Sequence, residues 1–122
     1  MGESLPERLV AAISAQDSAG ITACFAEDAS LRALIPPGTR ERTGATDAAA
    51  LIASWFADST VLELAEVSSK QVGDRLHIAY CFTGVEDDEP FVVEQHLYCT
   101  VADGRIERAD LLCSGFRPPG TA

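Results

Sequence analysis

Three segments in the second half of the chain alternate between apolar and polar residues, and this period constrains the fold more tightly than any other feature. In Arg75–Thr83, Leu76, Ile78, Tyr80 and Phe82 alternate with Arg75, His77, Ala79, Cys81 and Thr83. In Phe91–Val101, Val93, Leu97, Cys99 and Val101, with Gln95 among them, alternate with Val92, Glu94, His96, Tyr98 and Thr100. In Ile106–Ser114, Ala109, Leu111 and Cys113 alternate with Arg108, Asp110 and Leu112. Successive strand side chains point to opposite faces, so the pattern predicts an antiparallel sheet with one buried and one exposed face.

Requiring the apolar rows to share a face predicts a register. Leu76 lies opposite Leu97, Ile78 opposite Gln95, Tyr80 opposite Val93, Phe82 opposite Phe91, and His77 opposite His96. For the last hairpin, a plain two-residue turn at Asp103-Gly104 would put the rows on opposite faces. A type I turn with Gly104 as a bulge residue restores agreement and sets Asp110 near His96 and Arg108 near Tyr98. A slip of one residue would invert every face.

The first half reads as helical. Ser4, Pro6 and Glu7 have the layout of a capping box with proline in the first turn, and Leu5, Leu9, Ala12, Ile13 and Gln16 follow helical spacing. Asp17 caps a second, short helix with Ile21, Cys24 and Phe25 inward. Asp28–Ile35 reads as a strand stopped by Pro36-Pro37-Gly38, and Thr39–Thr43 as its partner. Thr46 caps a third helix carrying Leu51, Ile52, Trp55 and Phe56 on one face. Thr60–Val72 then opens the meander, with Val61 to Val67 strand-like and a turn at Gly73-Asp74. The expected architecture is α+β, a curved mixed or antiparallel sheet around N-terminal helices in the order α-α-β-β-α-β-β-β-β. One domain spans residues 1–117, with 118–122 a loose tail.

Charge and composition narrow the partners. Nine Lys and Arg stand against 19 Asp and Glu, a formal charge of −10. That balance disfavours nucleic acid and anionic membranes and leaves small molecules open. No apolar run reaches membrane-spanning length and the first residues lack the layout of a signal peptide, so a cytoplasmic protein is expected. Cys24, Cys81, Cys99 and Cys113 have no zinc-type spacing and are expected to be reduced thiols.

The order of elements, together with three local patterns, resembles the SnoaL-like group of the nuclear-transport-factor-2-like superfamily. The patterns are Ala15-Gln16-Asp17 followed by Phe25-Ala26-Glu27-Asp28-Ala29; Gly44 leading into Leu51-Ile52 and Trp55-Phe56; and Asp103-Gly104-Arg105-Ile106 opening the last strand. The resemblance covers nearly the whole chain and implies a cone with an apolar internal pocket, often dimeric through the outer sheet face. It also implies cofactor-free acid/base chemistry of the cyclase, isomerase or dehydratase type in those members that are enzymes. The positions matching the three catalytic side chains of ketosteroid isomerases are Leu9, Ala33 and Gln95, so the acids of that chemistry are absent. In SnoaL-type cyclases the acid/base aspartate lies near the end of the sheet, where Asp110 stands.

Two candidate sites follow. The inner one joins the apolar row to the helices, with Tyr80, Gln95, Arg32, Glu66 and Trp55 as polar or aromatic members and Leu97, Cys24, Cys99 and Cys113 as walls. Gln95 and Tyr80 could polarise a carbonyl or enolate oxygen; equally, Gln95 could bond Tyr80 and satisfy the core. The outer site is the row His77, His96 and Asp110, flanked by Glu94, Tyr98 and Arg108. It could bind a divalent metal, act as a general base oriented by an acid, or be a solvated or dimer-buried face. The expected function is binding of an apolar, carbonyl-bearing small molecule, with Asp110 or His96 moving a proton if the protein is an enzyme. The alternative is a non-catalytic dimeric domain that binds a ligand or partner.

Overall fold

The computed structural model describes residues 4–35 and 38–120. Helix α1 (Leu5–Ser14) starts on the capping box read from the sequence. Ser4 Oγ accepts from the Glu7 backbone N–H at 3.3 Å, and Glu7 Oε1 accepts from the Ser4 N–H at 3.1 Å. Helix α2 (Ser18–Ala23) is capped by Asp17, whose carboxylate accepts from the Gly20 N–H. Gln16 does not extend the α1 stripe. It lies between the helices at φ 54°, and its amide nitrogen donates to the carbonyls of Phe56 and Ser59 at 2.7 and 3.3 Å. A left-handed backbone costs a non-glycine residue about 1–2 kcal/mol, and these two partly buried bonds clasp the α1–α2 turn onto the end of the third helix.

That third helix, α3 (Ala45–Phe56), is capped by Gly44 and not by Thr46. Gly44 adopts φ 97° while its N–H bonds the Ala29 carbonyl at 2.7 Å, a backbone conformation that only glycine holds without strain. The buried stripe of α3 is Ala45, Ala48, Ala49, Ile52 and Phe56, whereas Leu51 and Trp55 sit half-buried at its margin. Small residues at the first three of those positions let the helix lie close to the sheet.

Six strands form one sheet in the order β2-β1-β6-β5-β4-β3. They are β1 (Phe25–Ile35), β2 (Gly38–Thr43), β3 (Ser59–Val72), β4 (Arg75–Glu86), β5 (Glu89–Ala102) and β6 (Arg105–Cys113). β1 begins three residues earlier than the apolar period indicates, because Phe25 already pairs with Ile106 of β6. β1 and β6 run parallel and every other neighbouring pair is antiparallel. Pro36 and Pro37, the expected strand stop, lie outside the described residues, as do residues 121 and 122 of the expected tail. Ahead of that tail, Arg117 bridges to Val92.

The faces are as the alternation predicts, and the register differs from the predicted one by two residues. Leu76 pairs with Cys99, Ile78 with Leu97, Tyr80 with Gln95, Phe82 with Val93, and Gly84 with Phe91. A shift of two preserves every face, and the hairpin turn selects it. The β4–β5 turn takes only Asp87 and Asp88, both at positive φ, so Glu86 pairs with Glu89. In the last hairpin Asp103 and Gly104 form a two-residue turn, both at positive φ, with Ala102 opposite Arg105. The face-restoring bulge is present, but two residues into β6. The register shifts between Thr100 and Val101, so Glu107 and Arg108 are both exposed between buried Ile106 and Ala109.

Candidate functional site

The inner row is a packed core. Leu9, Ile13, Ile52, Ile78, Phe82 and Leu97 are all at 1 % exposure or less. Leu9, Ile52, Ile78, Phe82 and Leu97 keep no accessible area and so border no void large enough for water, while Ile13 edges an open cleft of about 250 Å³ between α1, α2 and α3. Complete burial of such a side chain contributes about 1.5–3 kcal/mol. Gln95, at 0 % exposure, is the one amide in this row, and its partners are on neighbouring strands. The Tyr80 hydroxyl donates to Gln95 Oε1 at 2.6 Å, and Gln95 Nε2 donates to Cys113 Sγ at 3.4 Å. The Gly115 N–H also donates to that sulfur at 3.4 Å. Burial pushes the Tyr80 hydroxyl far above the usual phenol range, which keeps it a neutral donor. Burial likewise holds the Cys99 thiol at about 12 and raises Cys24, so both are protonated wall groups, inert as nucleophiles.

Of the residues expected inside, Tyr80, Gln95, Leu97, Cys24, Cys99 and Cys113 are buried there, and Trp55 packs half-buried against the core. Arg32 and Glu66 are not inside. Arg32 lies on the outer face of β1, beside Asp110. A bulge between Leu64 and Glu66 inserts Ala65 into β3, which reverses the alternation and puts Glu66 on the outer row opposite Cys81.

The outer row holds the ionisable groups. Asp110 lies opposite Tyr98, not His96, and is gripped by two arginines. Arg75 donates to Oδ2 at 2.8 Å, and Arg32 Nε stands 3.3 Å from Oδ1 in an ion pair outside hydrogen-bond geometry. The bond from Arg75 holds the Asp110 carboxyl below its ordinary range, helped by Arg32 and Arg108 and opposed by partial burial. A carboxylate so stabilised is a poor proton donor at neutral pH. The clasp with Arg75 escapes the sequence reading because it depends on the two-residue register, which brings the start of β4 across β5 to β6.

His77 and His96 meet diagonally, since His77 lies opposite Tyr98 and His96 opposite Ala79. His96 Nε2 is 2.8 Å from Glu94 Oε1, and His96 Nδ1 is 3.0 Å from His77 Nε2. A carboxylate only accepts, so His96 carries its proton on Nε2, and a neutral His96 accepts at Nδ1 from the N–H of His77. His77 also stacks on Tyr98, with ring centroids 4.6 Å apart. Partial burial, His96 and Lys70 together lower the His77 pKa. Beside this chain runs an open groove of about 640 Å³. Ala79 and Cys81 of β4 lie between Glu66 and Ser68 on one side and Glu94 and His96 on the other. Burial, Glu94 and Glu66 raise the Cys81 thiol, so it sits in the groove uncharged. Among the described residues no group of three His, Cys, Asp or Glu side chains is placed to hold a metal ion.

The four residues expected to act together therefore divide by face. Gln95 and Tyr80 look inward and satisfy each other, while Asp110 and His96 look outward, each with its own charged partner.

Comparison with known proteins agrees with this architecture. The SnoaL-like domain family matches residues 7–109. No curated protein matches the chain. Among solved structures, a hypothetical protein with a ketosteroid isomerase-like fold from Catenulispora acidiphila, in complex with trimethylamine, superposes with a TM-score of 0.73 at 16% identity, over 91% of this chain and 85% of that one. A provisionally named polyketide cyclase from Xanthomonas campestris pv. campestris gives 0.70 at 20% identity, over 88% and 86%. An LEH-like epoxide hydrolase from M. tuberculosis gives 0.68 at 14%, over 90% and 80%. At such identities the likeness is one of fold.

Proposed function

From membership of the SnoaL-like domain family, to which this chain belongs, we propose that it is a non-catalytic, dimeric binding domain whose working surface is the outer face of the sheet. One observation carries the reading: the inner row is filled, and its only polar chain, Tyr80 to Gln95 to Cys113, is satisfied within itself. Tyr80 takes the Gln95 oxygen and Cys113 one of its two N–H donors, so only the second N–H could meet a substrate oxygen, and packed side chains surround it. Asp110 and His96, the groups expected to move a proton, lie on the far side of the sheet from it. The outer face, by contrast, offers what a binding surface needs. Leu34, Leu112 and Tyr98 expose apolar area there between the Arg32–Asp110–Arg75 clasp and the groove beside His96.

The second reading is a small-molecule site of the cyclase, isomerase or dehydratase type, in which Gln95 and Tyr80 polarise a carbonyl. The shared fold with a provisionally named polyketide cyclase favours it. It requires the core to open and the Tyr80–Gln95 bond to break.

Thermal stability measured against apolar ketones, lactones, epoxides and polycyclic phenols separates the two. No shift across the panel is expected. A saturable rise in Tm for one class, lost in Gln95→Leu with the fold retained, would establish the small-molecule reading instead.

A further inference from the structure

We infer that two copies of this chain join along the free edge of β3, antiparallel about Ser68, into one continuous sheet closed by reciprocal Glu66–Lys70 pairs. The inference rests on the dimeric part of the function proposed above and specifies how the dimer forms. β3 is the outermost strand of the sheet, fourteen residues long without proline, and exposed over nearly its whole length. An edge of that length presents a row of unpaired backbone groups, which folded proteins ordinarily cover or blunt.

The direction of those groups follows from the register with β4. The two-residue turn at Gly73-Asp74 closes on Val72 and Arg75, a pair that exchanges both backbone hydrogen bonds. By alternation Lys70, Ser68 and Glu66 also bond β4, opposite His77, Ala79 and Cys81. The N–H and C=O groups of Val67, Ser69 and Gln71 therefore point out from the edge. A second copy laid antiparallel with its Ser68 opposite Ser68 places Val67 against Ser69 twice, so each outward group meets its complement.

The side chains agree with this register and with no adjacent one. Centred on Ser68, each Glu66 faces the Lys70 of the second copy in a non-hydrogen-bonded position, where cross-strand Cβ atoms come closest. Centred on Glu66, two carboxylates would collide at the axis. Centred on Val67 or Ser69, neither charge meets its opposite. Among the described residues Glu66 and Lys70 enter no ion pair within their own chain. The bulge at Ala65 ends the paired stretch on one side, so the contact is short and a dissociation constant on the order of micromolar is expected. Because Glu66 and Ser68 also form one wall of the outer groove, the pairing brings the grooves of both copies to the dimer axis and sets Lys70 of the second copy at the rim of each.

Sedimentation velocity on the full chain from about 1 to about 100 μM tests the inference. The wild type is expected to show a monomer–dimer equilibrium that weakens with salt. Lys70→Glu and Glu66→Lys, both at exposed positions, are each expected to weaken it about ten-fold or more with unchanged far-ultraviolet circular dichroism. The charge-exchanged double variant is expected to restore it. A monomer throughout the range would overturn the dimeric reading itself. A dimer indifferent to both single variants but lost in Leu112→Arg would overturn the edge contact alone, and would place the interface on the outer face.

Discussion

Gln95 is the residue on which a catalytic and a structural reading of the interior diverge, and its neighbours favour the structural one. A buried amide without partners loses free energy, and here Tyr80 and Cys113 supply them. Removing one member of a satisfied buried pair leaves the other exposed to the full desolvation penalty, about 1–3 kcal/mol. Tyr80→Phe and Gln95→Leu should each destabilise by about that amount in urea unfolding, and the double variant should lose less than the two together. Strict additivity would show that the two side chains are not coupled. His77 gives a residue-scale pH prediction. Its pKa is lowered from 6.5 by partial burial, His96 and Lys70, so between the folded and unfolded values the unfolded chain binds more protons. Its contribution to stability is thus fully present above about 6.5 and is lost as pH falls through the depressed value. A Tm–pH profile of His77→Gln should be flatter below pH 6.5 than that of the wild type. Gln95 was legible in the sequence as a polar residue in an apolar row. Cys113 as the acceptor for its amide was not, since Cys113 comes opposite Gln95 only in the observed register.

At the scale of elements, turns and bulges govern where alternation alone is silent. The apolar rows of β4, β5 and β6 identify strands and faces correctly, yet the same rows fit two registers that differ by two residues. The Asp87-Asp88 turn breaks the tie, because two residues at positive φ close the hairpin on Glu86 and Glu89. Aspartate tolerates that conformation less well than glycine. The double substitution Asp87→Asn, Asp88→Gly should therefore stabilise the protein by about 1 kcal/mol, read as a higher urea midpoint at constant m-value. The bulge at Ala65 has no strong sequence signal, and it is what moves Glu66 from the inner row to the outer. Helix starts were more legible. Ser4 and Asp17 act through contacts within three residues, whereas the cap of α3 falls to Gly44 because its N–H must also bond β1.

At the scale of the whole molecule, the sheet separates a packed interior from an outer face that carries the ionisable side chains. Leu111 and Leu112 are adjacent in sequence and at 3 % and 50 % exposure. Leu111→Ala should cost about 2–5 kcal/mol of unfolding free energy, and Leu112→Ala less than about 0.5 kcal/mol. Equal effects in chemical denaturation would mean that the faces have been assigned wrongly. The sequence by itself determined the α+β class, the order of the elements, the capping of the first two helices and the two faces of the sheet. All of these rest on local periodicity and on contacts a few residues apart. Only the tertiary structure decided that Asp110 is clasped by Arg32 and Arg75, that His96 reaches His77, and that the interior closes over Tyr80 and Gln95. Those arrangements join residues distant in the chain and depend on register shifts of one or two positions. Apolar alternation is blind to a two-residue slip, because such a slip leaves every side chain on its own face.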